Sequence, residues 1–327
     1  MADQPRLADL FWLAPQRELL RQARLQGRLP AALLIRDVQG GGGDALALIA
    51  AQVALCREAD APCGHCQQCQ QVAERRHPDL WQVSPDGESK QIRVDQVREL
   101  SDTLALTGYS SSARVAILSP AEALNANAAN ALLKTLEEPR PGVLIVLVAS
   151  PVSRLPATVV SRCVRMAVRQ PARADSLAWL HRHGGEGDWD AVLDVLGDAP
   201  LRALAVAPDE LLRLRRETRG VLEQALAGRL EIPAAAERWV RDAFDLRMAC
   251  AENWVTERLL QQVGVSEAPA ELHTGTHRPV LDSLKNAAGL VRLADALREL
   301  ANLATTGLNR ALAIEQLLWQ LARQGQG

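Results

Sequence analysis

The chain has 327 residues, with 37 basic and 39 acidic side chains for a formal charge of −2, 48% hydrophobic content and 3% aromatic content. That is an ordinary globular composition, long enough for two or three domains, with no apolar run near the ~20 residues of a bilayer span and no basic-then-apolar secretory opening. The charge balance excludes a stand-alone protein that holds nucleic acid by bulk positive charge; the cytosol is the expected compartment, where six cysteines signal metal or thiol chemistry before disulfides.

Strand and helix signals alternate through the first half. Leu33-Leu34-Ile35 predicts a strand that ends at the turn Gly40-Gly41-Gly42-Gly43, and the Ala/Leu-rich run from Asp44 to Cys56 predicts a helix with Asp44 as its N-cap. A strand is expected over Leu80-Trp81-Gln82-Val83, stopped by Ser84-Pro85-Asp86-Gly87, and a helix from Val94 to about Leu104. Val115-Ala116-Ile117-Leu118 predicts another strand, and Ala121 to Glu138 a helix stopped by Pro139 and Pro141-Gly142. Val143 to Ala149 is apolar throughout, the mark of a parallel strand covered on both faces. Strands separated by helices imply a doubly wound α/β domain with a parallel sheet.

From about Gln170 the strand signal ends. Residues 171–207 are expected to form a small helical unit, broken at Gly184-Gly185-Glu186-Gly187. Leu290, Leu293, Leu297 and Leu300, then Ile314, Leu317, Leu318 and Leu321, recur at helical spacing, so the last third is expected to be mostly helical. Gly264 to Pro279, with Pro269, Gly275, His273 and His277, has no periodicity and is expected to be its least ordered stretch.

Cys56, Cys63, Cys66 and Cys69 are spaced C-x6-C-x2-C-x2-C. Each C-x2-C step wraps two thiolates around one tetrahedral ion, and four sulfur ligands leave no open position for water, so the spacing points to a structural zinc site. The alternative is a redox-active thiol set, since C-x-x-C also occurs in thioredoxin-like sites. His65 inside the cluster is expected to be an exposed knuckle residue, and Cys163 and Cys250 buried thiols.

A strand, a glycine-rich turn and a helix are also the setting of a nucleotide-binding P-loop, G-x4-G-K-[ST]. Placed on Gly42, that pattern puts Asp37 at the first glycine, Gly43 at the lysine and Asp44 at the hydroxyl, so three of four fixed positions are lost. A carboxylate at the helix N-terminus caps the N–H groups that a phosphate would use and repels the phosphate. The acidic pair that would hold magnesium after the next strand is replaced by Ser119 and Pro120, and Glu122 is expected in the first turn of the helix that follows. No ATP is expected to bind in cis.

The run Asn130-Ala131-Leu132-Leu133-Lys134-Thr135-Leu136-Glu137-Glu138-Pro139, followed by Ser161-Arg162-Cys163, closely resembles the clamp-loader branch of the AAA+ family, and the inserted cysteines resemble that branch's zinc module. The resemblance implies a fold that is α/β plus all-α: an AAA+ parallel-sheet domain over residues 1–168 with the zinc module at 56–69, a helical lid over 169–207 and a helical collar over 208–327. Thr306-Gly307-Leu308-Asn309-Arg310 carries it into the collar. It further implies a five-subunit ring with γ/τ and δ subunits that loads the sliding clamp on primer-template DNA, and no membrane partner. In that ring Arg162 would be an arginine finger offered to the ATP of a neighbouring γ/τ subunit, with Ser161 and Cys163 as its motif. Against this stands an arginine that only pairs with a nearby carboxylate. Ser150 falls at the family's polar sensor position and Arg202 resembles its lid arginine; with no nucleotide in cis, they are expected to be structural and a surface residue, respectively. Two other readings stay open: an active AAA+ motor with an atypical P-loop, and a zinc-containing nucleic-acid-binding or redox protein on an AAA+ skeleton.

Overall fold

The structure, a computed structural model, describes residues 5–87, 90–105, 113–263, 278–303 and 309–325. Residues 264–277, with His273 and His277, and residues 304–308 lie outside the described residues, so the expectations for them have no structural counterpart. The first part runs α1 (Ala14–Leu25), β1 (Ala32–Arg36), α2 (Gly43–Leu55), α3 (Gln67–Ala73), β2 (Leu80–Val83), α4 (Val94–Ala105) and β3 (Arg114–Leu118). It continues through α5 (Ala126–Glu137), β4 (Val143–Ala149), α6 (Ala157–Val160), β5 (Val164–Ala167), α7 (Arg173–His183), α8 (Trp189–Leu196) and α9 (Pro200–Leu204). The remainder is helical: α10 (Pro208–Leu226), α11 (Ile232–Arg241), α12 (Phe244–Val263), α13 (Arg278–Leu303) and α14 (Arg310–Gly325).

The five strands pair in parallel in the order β2-β3-β4-β1-β5. β4, apolar and buried along its whole length, lies at the middle of this order, where both neighbours satisfy its backbone and both faces are covered. Leu34, Ala116, Leu118, Ile145 and Leu147 point to one face and share a core with Leu100 of α4 and Ala128, Leu132 and Leu136 of α5. α2, with Leu46, Ala47, Ile49, Ala50 and Val53 buried, packs against β1, β3 and β4. Helices therefore flank a parallel sheet, as the alternating pattern predicts.

Three local differences from the sequence reading have physical causes. The helix expected over 121–138 is divided: a 3-10 turn covers Ala121–Ala123, and the α-helix starts afresh at Ala126, because the Asn125 side chain accepts the N–H of Ala128 at 2.8 Å and makes a new N-cap. β5 was not foreseen, since Val164-Arg165-Met166-Ala167 is an edge strand with an exposed valine and arginine and little apolar signal. α1 was also missed; it buries only Gln16 and Leu20.

The chain divides into two compact units, the first comprising Met1–Gly185 with Asp198–Leu204, the second Glu186–Gly197 with Ala205–Gly327. In the second, Trp239, Met248, Trp254, Leu293, Leu297, Ile314, Leu317 and Leu321 form one core, so the two apolar sets that recur at helical spacing are buried helix faces. No helix among the described residues is long and apolar enough to cross a membrane.

Candidate functional site

The glycine turn lies where the sheet presents the C-terminal ends of its strands, the usual ligand crevice of a parallel α/β sheet. Gly42, at φ +100°, is the N-cap of α2, which begins one residue before Asp44. The expected Asp44 cap is therefore incorrect: Asp44 is exposed in the first turn, and its carboxylate accepts the Ser119 hydroxyl at 2.6 Å. Asp37 lies over this helix start instead: its carboxylate accepts the Val38 N–H at 2.9 Å, and the nearby Gly43 N–H favours its ionised form. A β-carbon added at Gly43 would fall 2.5 Å from Asp37 Cγ, so the carboxylate fills the place over the helix N-terminus.

The rest of the turn is enclosed. Gly41, Gly42 and Gly43 are buried, and the indole N–H of Trp12 donates to the Gly41 carbonyl at 2.8 Å. A β-carbon on Gly41 would meet Val38 and Val168 at 2.6 and 2.9 Å, and one on Gly40 would lie 2.4 Å from Arg202 Cβ. Arg202 is thus more than the expected surface residue, because its stem and Ala199 pack over Gly40.

Three carboxylates, those of Asp37, Asp44 and Glu122, lie close enough around this turn to influence one another. Burial pushes the Asp37 carboxyl up to about 6, and the nearby charges of Asp44 and Glu122 add to the shift. Burial also raises Glu122. Glu122 sits in the 3-10 turn rather than the first turn of α5, and its Oε1 accepts the Ser150 N–H at 3.2 Å. Ser150 itself is exposed. Ser119 and Pro120 close β3 without an acid, as read from the sequence.

The four cysteines come together. Their sulfurs all lie within 4.8 Å of one another, with Cys56–Cys63 at 3.7 Å, Cys56–Cys66 at 3.8 Å and Cys63–Cys69 at 3.9 Å. A tetrahedron of sulfurs about 2.3 Å from a zinc ion has edges of about 3.8 Å, so the residues fit a closed four-sulfur metal site. The Cys66 N–H points to Cys63 Sγ at 3.3 Å and the Cys69 N–H to Cys66 Sγ at 3.4 Å, contacts that favour thiolates. Burial raises Cys66 and Cys69; it also acts on Cys63, but the N–H groups of Cys66 and His65 outweigh it and bring that thiol down to about 7. His65 is exposed, its Nδ1 2.9 Å from the Cys63 carbonyl oxygen, outside the cluster of ligands. Cys250 is buried and Cys163 partly so, and burial holds both thiols at about 11.

Arg162 follows α6 and is exposed. One terminal nitrogen donates to the Thr158 carbonyl at 2.8 Å and the other pairs with Glu137 at the end of α5. Ser161 is exposed beside it, and the Cys163 thiol donates to the Val159 carbonyl at 3.3 Å. The Ser-Arg-Cys and Leu-Glu-Glu-Pro segments, distant in sequence, are therefore neighbours.

Similarity to known proteins extends over the whole chain. A family profile described as DNA polymerase III, delta subunit, matches residues 14–172. DNA polymerase III subunit delta′ of Pseudomonas aeruginosa is 32% identical over 327 residues, spanning 97% of this chain and 98% of its own. The Escherichia coli K12 subunit delta′ is 30% identical over 322 residues, spanning 95% and 94%. Among solved structures, a DNA polymerase III gamma subunit-related protein of Thermotoga maritima shares the fold, with a TM-score of 0.50 at 19% identity over 95% of this chain and 99% of that one. On this end-to-end similarity, the chain belongs to the family of DNA polymerase III delta′ subunits.

Proposed function

We propose that this chain is a non-hydrolysing subunit of a DNA polymerase III clamp loader, which joins γ/τ and δ subunits in a five-membered ring and helps place the sliding clamp on primed DNA. The observation that carries the reading is the occupied glycine turn. In a working P-loop the N–H groups at the start of the helix receive phosphate and a lysine neutralises it. Here the Asp37 carboxylate sits over Gly43, Trp12 and Arg202 crowd the neighbouring glycines, and Asp44 and Glu122 add further carboxylates near Asp37. Like-charge repulsion and lost donors act in the same direction against ATP, which favours a scaffold over an atypical motor.

Within the ring, Arg162 serves the ATP of a neighbouring subunit. A guanidinium is permanently charged and forks across phosphate oxygens, and arginine fingers contribute about 10³ to 10⁵ in rate. The side chain is 35% exposed, and its partner Glu137 is 48% exposed. An ion pair so open to water is worth about 0–1 kcal/mol, so exchanging Glu137 for a polyphosphate costs little. The cysteine cluster holds a structural zinc ion, which when bound ties the 56–69 segment to α2 and supplies no reacting group.

Titration of the isolated chain with a fluorescent ATP analogue and magnesium tests the central claim, with a γ/τ subunit as positive control. No saturable binding is expected up to about 1 mM, the upper end of ordinary Michaelis constants. Micromolar, magnesium-dependent binding would establish an ATP-binding motor subunit instead.

A further inference from the structure

We infer that Gln52 is the positioning residue of the four-cysteine metal centre, fixing Cys56 and Cys69 as a preformed pair of ligands onto which Cys63 and Cys66 close. The inference rests on the metal reading proposed above and concerns a residue outside the C-x6-C-x2-C-x2-C pattern.

Gln52 lies one turn before the end of α2 and is the only polar side chain among the buried residues of that helix, at 5% exposure. An amide in such surroundings is costly unless its donors and acceptors are used. Gln52 uses both its main chain and its side chain on the cysteines. Its carbonyl accepts the Cys56 N–H at 2.9 Å, and its Nε2 donates to the Cys69 carbonyl at 2.8 Å. The main-chain bond closes the last turn of α2, which carries Cys56, and the side-chain bond ties Cys69 of α3 to that turn; Cys56 and Cys69 are the two buried ligands, at 2% and 0% exposure. Cys63 and Cys66 are partly exposed, Cys63 in the segment between the two helices and Cys66 at its end, as the N-cap of α3. On the far side of Cys56, the Arg24 guanidinium donates to the carbonyls of Val53 and Cys56 and braces the same end of α2.

The physical consequence is a division of labour within the ligand set. A metal ion that gathers four thiolates from a loose segment must supply the ordering free energy of every ligand. With Gln52 in place, two ligands are ordered by α2 and α3 before any ion arrives, and only the knuckle remains to be fixed. Loss of hydrogen-bonded supports around metal ligands lowers affinity by about 10- to 100-fold. Gln52→Met keeps length and apolar contacts but removes the donor, and Gln52→Glu keeps shape while replacing the donor with a carboxylate.

The test measures zinc affinity of the full chain by competition with a chromophoric chelator, the absorption spectrum of the cobalt-substituted protein, and Tm with and without metal. One zinc per wild-type chain is expected, bound about 10- to 100-fold more weakly in both variants, with an altered cobalt spectrum and a smaller rise in Tm on metal binding. Gln70→Ala, at an exposed neighbour of Cys69, is expected to behave as wild type. Unchanged affinity and spectrum in Gln52→Met, or an equal fall in Tm with and without metal, would overturn the inference by making Gln52 a packing residue only. Should neither variant fold, Gln52→Asn, which keeps the amide but is one methylene short, is read by the same criteria. A wild-type chain that takes up no metal would instead overturn the metal reading.

Discussion

Asp37 shows how one residue changes the character of a familiar loop. Its folded-state pKa of about 6 exceeds the ordinary 3.8, chiefly through burial. A raised pKa means that the folded state holds the proton more tightly than the unfolded one. The stability tied to this group is therefore complete below about pH 4 and is lost as the pH rises through 6. Asp37→Asn keeps a side-chain oxygen able to accept the Val38 N–H but removes the charge. It is expected to match wild-type Tm near pH 4 and exceed it at pH 7 to 8, read by thermal unfolding across that range; a pH-independent difference would contradict a buried, strained carboxylate. For Arg162 the relevant measurement is turnover. On the proposed role, Arg162→Ala is expected to leave ring assembly intact and slow hydrolysis at a neighbouring subunit's ATP site by about 10³-fold or more, measured in a single-turnover assay of the reconstituted complex. An arginine that serves only Glu137 would leave turnover unchanged. The Asp44 cap read from the sequence fails because α2 starts one residue earlier, at Gly43 with Gly42 as N-cap, and the left-handed backbone of Gly42 that sets this start is a property of the folded turn.

At the scale of elements, close approach and left-handed backbone can be separated with two glycines. Gly40 and Gly185 both have φ +74°, but a β-carbon at Gly40 would strike Arg202 Cβ at 2.4 Å, whereas one at Gly185 meets nothing within 4 Å. Left-handed backbone costs an L-residue about 1–2 kcal/mol, and forcing an atom into packed surroundings about 1–3 kcal/mol more. Gly40→Ala is thus expected to destabilise the protein by about 2–5 kcal/mol by urea unfolding, and Gly185→Ala by about 1–2 kcal/mol. Equal losses would mean that α9 does not lean on the turn. Buried, uniform elements were the legible ones: β4 is apolar at every position and α2 is Ala/Leu-rich. β5 escaped notice because half its side chains face solvent, and the break between the 3-10 turn and α5 because Asn125 reads equally well as a helix residue or a cap.

For the whole molecule, the two compact units show how far a linear reading can go. The helical expectation over 171–207 holds in content, since α7, α8 and α9 occupy it. The compact units cut across that segment, however, grouping α7 and α9 with the sheet and α8 with the C-terminal helices. Trp189, Val192 and Leu193 make α8 as apolar and buried as any lid helix would be, so its sequence does not reveal which core receives it. What the sequence determined by itself were the features set by local periodicity, spacing and residue identity: the parallel α/β pattern, the all-α remainder, the four-sulfur spacing, the missing lysine and acids, and the motifs of the clamp-loader branch. Tertiary structure alone decided the rest: that Asp37 rather than Asp44 lies over the start of α2, that Trp12 and Arg202 close over the glycines, that Glu137 meets Arg162, and that Gln52 ties Cys69 to α2. Each of these joins positions far apart in the chain or depends on which of several competing groups reaches a donor first. Pairing of that kind follows from packing the whole fold, and no local pattern encodes it.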